Sequence, residues 1–268
     1  LDPILIFGIN GYLEFGVAGA AIATIIGQMT ACLLAIILFR KTSRIKVSLK
    51  NFKPNAQIIK NIYSIAIPSG VMTSLPSILV ALLNSLLATV SQTAIAFFGI
   101  YFKLQSFIYM PANGLIQGMR PLISYNYGAR HFDRVKKIIK VSIISTAVIL
   151  CCGTIIFMGL PELVLSWFNA TEQLLEIGII GLRVISPCFI LSTMGVVISG
   201  VFESLGKGRQ SLTISLLRQF IITLPLAYIL LKVIGLNGIW LSFVIAEGIA
   251  SVIAVILIKK ELHNFKVD

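Results

Sequence analysis

The sequence predicts an all-α membrane protein, a bundle of long apolar helices that cross a bilayer several times. Of its 268 residues, 57% are hydrophobic and 12% are charged, and the mean hydropathy is +0.97. A soluble domain carries charge on roughly a quarter of its residues. The apolar residues also form segments at least as long as the roughly 20 residues that one crossing requires. Both observations argue against a soluble enzyme.

The apolar segments define the elements in chain order. A partial helix at 1–8 is followed by seven segments long enough for one crossing each, near 17–39, 62–85, 93–117, 137–160, 173–201, 211–231 and 239–258. Proline removes one backbone hydrogen bond from a helix. Because Pro68 and Pro76 lie in the same segment, we expect that helix to be broken and to move.

The basic residues predict the orientation. Alternate connections and the C-terminus hold 18 of the 22 Lys and Arg residues, at 40–60, 118–140, 202–210 and 259–268. By the positive-inside rule, we expect these loops and the C-terminus to be cytoplasmic in a plasma (inner) membrane. The net charge of +12 then reflects topology, so we expect no nucleic-acid partner. Trp167 and Trp240 fall at the outer boundary, where each either lies in the headgroup layer or packs between helices.

An internal repeat relates the two ends of the chain. Gly16 and Gly19 match Gly235 and Gly238 at an offset of 219 positions, and the basic ends of both segments keep that offset. Six crossings separate the copies, so they run in the same direction, as in parallel transporter repeats. We therefore expect about 178 further residues before Leu1, in a parent of about 446 residues with twelve helices. The predicted domains are the end of an N-terminal lobe, a basic linker, a six-helix lobe and a tail, at 1–41, 42–60, 61–260 and 261–268.

Two segments resemble motifs of the multidrug and toxic compound extrusion (MATE) transporters. Residues 114–129 (GLIQGMRPLISYNYGA) resemble the end of the eighth helix in that family, and residues 203–209 (ESLGKGR) resemble the loop after its tenth helix. The start of the chain resembles the fifth and sixth helices. The resemblance covers essentially the whole chain. It implies a MATE-like bundle with one complete six-helix lobe and the last one and a half helices of the other.

The resemblance also implies a function. It implies efflux of drugs or other amphipathic, often cationic, organic compounds in exchange for H⁺ or Na⁺, with the missing N-terminal lobe and the bilayer as partners. Family members keep a coupling carboxylate in the first or the seventh helix. Segment 62–85 contains no Asp or Glu, which favours the missing lobe. A flippase for lipid-linked saccharides, which a strongly basic cavity would favour, and a non-transporting fragment are the alternatives.

Patterns typical of catalysis or metal binding are lacking. The two histidines, His131 and His263, lie in basic segments without a nucleophile or a metal ligand at a useful spacing. All four cysteines lie in apolar segments and are interpreted as packing residues. We therefore expect neither an enzyme, nor a metal site, nor an organic cofactor.

Ionisable residues inside the segments are the strongest site candidates. Lys103, Arg183, Arg218 and Glu247 all fall deep within apolar segments. A charge at that depth costs at least about 2.5–3.5 kcal/mol, so we expect these residues to face the bundle interior, to pair, or to line water. Glu247 is the candidate for cation coupling, and Lys103 and Arg183 are candidates for the substrate or ion pathway. The uncharged candidates either bind substrate or join helices, and they are Asn84, Gln105, Asn113 and Gln117.

The predicted orientation can be tested by labelling. A cysteine placed at Ser48 or His131 is expected to react with a membrane-impermeant maleimide only from the cytoplasmic side, and one at Asn169 only from outside. The unsubstituted chain provides the background. Labelling of residue 131 from outside would contradict both the orientation and the repeat.

Overall fold

The computed structural model describes residues 2–8, 15–42, 54–168 and 170–264, and all regular structure in these ranges is helical. The chain divides into two compact units, Leu1–Asn55 and Ala56–Asp268. The predicted linker lies mostly outside the described residues, as do Ser48 and Asn169. The helices are α1 Asp2–Phe7, α2 Gly16–Thr42, α3 Ala56–Ala88, α4 Gln92–Gly128, α5 Phe132–Gly159, α6 Pro161–Ser166, α7 Glu172–Ile185, α8 Pro187–Ser204, α9 Gly208–Leu216, α10 Thr223–Ile234 and α11 Leu236–Asn264.

The prediction of an all-α membrane bundle is confirmed. Within the described ranges, seven helical stretches of 18 to 37 residues are long and apolar enough to cross a membrane. One of them, Gly16–Lys41, belongs to the first unit, and the other six belong to the second unit. The chain is therefore a multi-pass membrane protein with one complete six-helix lobe in its second unit.

The segment predicted as one helix at 173–201 consists of two helices. Ser186 separates α7 from α8, because Pro187 lacks the N–H that would continue the α-helical hydrogen bonding. The Thr154 hydroxyl on α5 donates to the Ser186 carbonyl at 3.1 Å, and the Ser186 hydroxyl donates to the Leu182 carbonyl. Two hydroxyl groups thus add hydrogen bonds to carbonyls on either side of the break.

The predicted break at Pro68 and Pro76 is wrong, because α3 runs continuously through both residues. A proline inside a helix removes a single hydrogen bond, and nearby hydroxyls can satisfy carbonyls in the surrounding turns. Thr73 Oγ1 donates to the Ser69 carbonyl at 2.8 Å, in the turn before Pro76. Whether α3 moves stays a prediction.

Two apolar cores hold the second unit together. One is rich in aromatic side chains from α4, α8 and α11, including Phe97, Phe98, Tyr101, Phe189 and Trp240. Trp240 is fully buried and packs edge-on against Phe97 at 5.1 Å between ring centroids. Of its two interpretations, packing between helices is therefore confirmed, whereas Trp167 is exposed.

The second core is aliphatic and lies near the basic ends of the helices. It joins Ile116 and Ile123 of α4 to Val197 and Val201 of α8, with Ile139 of α5 packed beside them. Between Leu104 and Ile116, α4 also carries Gln105 and Asn113, two of the polar side chains described in the next section.

The internal repeat is visible in the backbone of both units. Gly16 and Gly235 both have positive φ, +53° and +78°, at the turns before α2 and α11. A Cβ on Gly19 would lie 1.9 Å from the Leu5 carbonyl oxygen, and one on Gly238 would lie 2.2 Å from the Leu230 carbonyl oxygen. Each copy therefore uses its first glycine to turn and its second to let two helices approach closely.

The motif residues tie the helices together at the basic end of the lobe. Glu203 at the end of α8 pairs with Arg120 of α4 at 2.6 Å and accepts a hydrogen bond from Ser211 of α9 at 3.1 Å. Lys207 pairs with Glu261 of α11 at 2.5 Å. These contacts give Arg120, Glu203 and Lys207 a structural role.

Substitution of Gly238 by alanine is expected to destabilise the lobe, because the new methyl group would overlap the backbone of Leu230. We expect a loss of about 2 kcal/mol, or roughly 5 °C in the apparent melting temperature in detergent. Gly248→Ala on the same helix is the matched control, since its Cβ would lie 3.9 Å from Leu191 Cδ1. Equal melting temperatures for the two variants would contradict the close contact at Gly238.

Candidate functional site

A distorted turn positions Arg218 inside the second unit. Residues Leu217–Ile221 between α9 and α10 form a π-helical turn, in which the Ile222 N–H donates to the Leu217 carbonyl at 3.0 Å. The Thr223 hydroxyl donates to the Arg218 carbonyl, and Pro225 cannot donate to the carbonyl one turn earlier. Such π turns are frequent at functional sites.

Arg218 reaches Glu247 on α11 and forms an ion pair there. Arg218 Nε lies 3.2 Å from Glu247 Oε1, and the two side chains are 19% and 12% exposed. The Nε–H does not point at the oxygen, so the contact is a charge pair without an aligned hydrogen bond. Pairing within the chain is what allows both charges to lie at this depth.

The ion pair lines a cavity of about 310 Å³ within the second unit. Three kinds of side chain meet around the pair. Aromatic and apolar groups come mainly from α3, α4 and α11, and amides come from α4 and the π turn. The lining residues are Pro76, Leu79, Phe102, Gln105, Ser106, Tyr109, Met110, Asn113, Val196, Arg218, Gln219, Thr223, Phe243 and Glu247.

The cavity wall contains a hydroxyl group that is hydrogen-bonded within the described part of the protein and two oxygen atoms that are not. The Tyr109 hydroxyl is held by Ser192 Oγ at 2.6 Å. Glu247 Oε2 and Gln219 Oε1 are buried and have no hydrogen-bond partner among the described residues. Because a buried acceptor without a partner is costly, this wall is suited to a ligand that donates hydrogen bonds.

Four of the predicted site residues meet in this cavity. Glu247, Gln105 and Asn113 lie on its wall, together with Pro76 from the predicted helix break. Arg218, considered in the sequence as an ionisable group inside the bilayer, proves to be the partner of Glu247. Their roles in transport stay predictions.

The other candidates lie outside the cavity. Lys103 and Arg183 are exposed on the surface of the second unit, and their place in a substrate or ion pathway stays a prediction. Each is next to a core residue, Leu104 or Leu182, and the helical turn points the charged side chain away from the core. Gln117 is exposed as well, whereas Asn84 is half-buried and its Oδ1 has no partner among the described residues.

Sequence reasoning missed several wall residues. Tyr109, Met110 and Phe243 belong to apolar segments and look like ordinary packing residues. Gln219 carried a usable signal, because it follows Arg218 directly in an otherwise apolar segment. Two consecutive polar residues there indicate a local change of helix geometry, which the π turn supplies.

Comparisons with known proteins agree on one family. The sequence profile of the MatE family matches residues 68–229. The multidrug export protein MepA of Staphylococcus aureus (strain N315) is 33% identical over 269 residues, and that of Staphylococcus haemolyticus (strain JCSC1435) is 33% identical over 270 residues. In both cases the match covers 100% of this chain and 58% of the relative. The chain thus spans little more than half the length of these curated relatives.

Solved structures show the same fold. An outward-facing multidrug resistance MATE transporter of the MOP superfamily superposes with a TM-score of 0.90 at 24% identity, covering 100% of this chain and 60% of that one. A MOP superfamily transporter from Pyrococcus furiosus, whose binding pocket is described as reversed in polarity, gives 0.90 at 25% identity, covering 99% and 60%.

Removal of one partner from the buried ion pair is expected to destabilise the unit. Glu247→Gln should cost about 3 kcal/mol, because Arg218 then remains charged without a counter-ion. Arg218→Gln should cost a similar amount, and the double variant less than the sum of the two by at least about 1 kcal/mol. Melting temperatures in detergent give this double-mutant cycle, with Glu176→Gln on the exposed face of α7 as the control. If the losses of the two single variants simply add in the double variant, Arg218 and Glu247 have no interaction energy and the expectation is contradicted.

Proposed function

The chain belongs to the MatE family, and from this membership we propose that it works as part of a secondary active exporter of amphipathic organic compounds. The proposed substrates are drug-like molecules, many of them cationic. The proposed energy source is an inward flow of H⁺ or Na⁺. The named relatives are multidrug export proteins, which supports this proposal.

The observation that carries the proposal is the mixed character of the cavity. Phe102, Tyr109 and Phe243 offer aromatic surface to an apolar body, and Gln105 and Asn113 offer amide groups to a polar end. Arg218 and Glu247 compensate each other, so the wall has no strong net charge. Such a surface suits varied amphipathic compounds better than one fixed substrate.

Glu247 is a weak candidate for the coupling carboxylate. Its charge is already opposed by Arg218, and its other oxygen is buried within the same wall. The proposal therefore keeps the coupling carboxylate in the missing N-terminal lobe, as the absence of acidic residues from segment 62–85 suggested.

A flippase for lipid-linked saccharides is less favoured. That alternative requires a strongly basic cavity to hold a pyrophosphate group. In the described residues the cavity wall contains one arginine, which is paired, while Lys103 and Arg183 lie elsewhere.

The proposed location is the plasma (inner) membrane, with the basic loops and the C-terminus in the cytoplasm. Arg120, Lys207 and the basic start of α5 all lie at the same end of the second unit, because α4 and α8 end there and α5 begins there. Lys and Arg residues are therefore concentrated at one end of the second unit, which is the distribution expected from the positive-inside rule.

We expect the 268 residues alone not to export drugs, because alternating access needs two lobes that move around a shared site. Ethidium efflux should be compared among cells that express this chain, a reconstructed parent of about 446 residues and an empty vector. The chain should insert in the membrane yet match the vector, while the parent should lower cellular ethidium. Efflux by the chain equal to that by the parent, with only monomers present, would refute the two-lobe mechanism.

A further inference from the structure

A second concave surface lies on the flank of the six-helix unit, between α4 and α5. This groove has a volume of about 500 Å³ and no residue in common with the ion-pair cavity. It is almost entirely apolar, with a single charged residue. The lining residues are Leu115, Gly118, Met119, Leu122, Lys137, Ile138, Val141, Ser142 and Ser145.

The groove is open because α4 has a glycine, Gly118, at the centre of the groove. A Cβ on Gly118 would meet no atom within 4 Å, so the space over this residue is free. Met119 and Ser142 form a buried floor, and Leu122 and Val141 form exposed walls at 55% exposure each. An open apolar groove of this volume can hold part of a hydrocarbon chain.

Positive charge stands at one end of the groove. Lys137 lines it directly, and Arg134 lies three residues earlier on the same face of α5. In the described part of the chain neither side chain takes part in an ion pair. The nearest acidic residue on the helix, Asp133, contacts Lys136 at 3.7 Å and does not line the groove.

The position of these charges along α5 corresponds to the membrane surface. After Lys140, residues 141–159 carry no charge, and at 1.5 Å per residue they extend about 28 Å, close to the thickness of the hydrocarbon core. Lys137 and Arg134 then lie at the level of lipid headgroups. Ser142 lies about 7 Å deeper than Lys137, near the inner edge of the headgroup layer.

We propose that this groove binds one anionic phospholipid. Its phosphate contacts Lys137 and Arg134, and one acyl chain lies over Gly118 between α4 and α5. The occupant is anionic because Lys137 lines the groove, Arg134 lies one turn away on the same helix, and no acidic residue is part of the lining. It is a lipid because the remaining lining is apolar and begins at the headgroup level.

The test uses the purified 268-residue chain in a mild detergent, with bound lipids counted by native mass spectrometry. Dioleoyl phosphatidylglycerol should bind more tightly than dioleoyl phosphatidylcholine. Lys137→Gln should weaken the phosphatidylglycerol adduct about fivefold and leave the phosphatidylcholine adduct unchanged, since one headgroup contact is lost. Lys136→Gln makes the same charge change at a residue that does not line the groove and should alter binding less than twofold.

A second pair of variants tests the acyl-chain position. Gly118→Leu fills the groove and should remove the tightest adduct for both lipids, whereas Gly99→Leu on the same helix should not, because its Cβ also meets open space but lies far from the groove. Equal effects of Lys137→Gln and Lys136→Gln would overturn the proposal. Displacement of the lipid by inorganic phosphate would also overturn it. A dimer that Gly118→Leu abolishes would overturn it as well, because the groove would then bind a second copy of the chain.

Discussion

Satisfying polar groups without water is the constraint on which the structure of the second unit depends. Arg218 and Glu247 lie at a depth where an unpaired charge is costly, and each is the counter-ion of the other. The same constraint acts on the backbone. Where Pro187 interrupts the helix, hydroxyls from Thr154 and Ser186 supply donors to nearby carbonyls. Both kinds of polar group are thus paired within the protein.

Close helix packing depends on glycines in the second unit. Apolar side chains gain little by leaving lipid for a protein interior, so contact between helices depends on shape. Three glycines provide it, since a Cβ on Gly153, Gly181 or Gly200 would lie 2.4–2.6 Å from a side chain of α4. These contacts bring α5, α7 and α8 onto α4 and build the two apolar cores. The ion-pair cavity occupies the gap that remains between the cores.

The helix α4 connects most features of the lobe. Its side chains enter the aromatic core between 97 and 112, line the cavity at positions between 102 and 113, and enter the aliphatic core between 116 and 123. Its outer face also forms one wall of the groove shared with α5. A shift of this helix would therefore alter the cavity and the groove together. That coupling gives a bound lipid a direct mechanical connection to the proposed substrate site.

The sequence by itself determined the class of protein, the number of crossings, the expected orientation and the glycine repeat, because hydropathy, charge and backbone conformation are local properties. It also selected Glu247, since an acid deep in an apolar segment is conspicuous. Only the tertiary structure decided that Arg218 is its partner, that Gln105 faces the cavity while Lys103 is exposed, and that Trp240 is buried. The physical reason is the bilayer: faces toward lipid and faces toward protein are both apolar, so hydropathy does not show which face of a membrane helix packs inward.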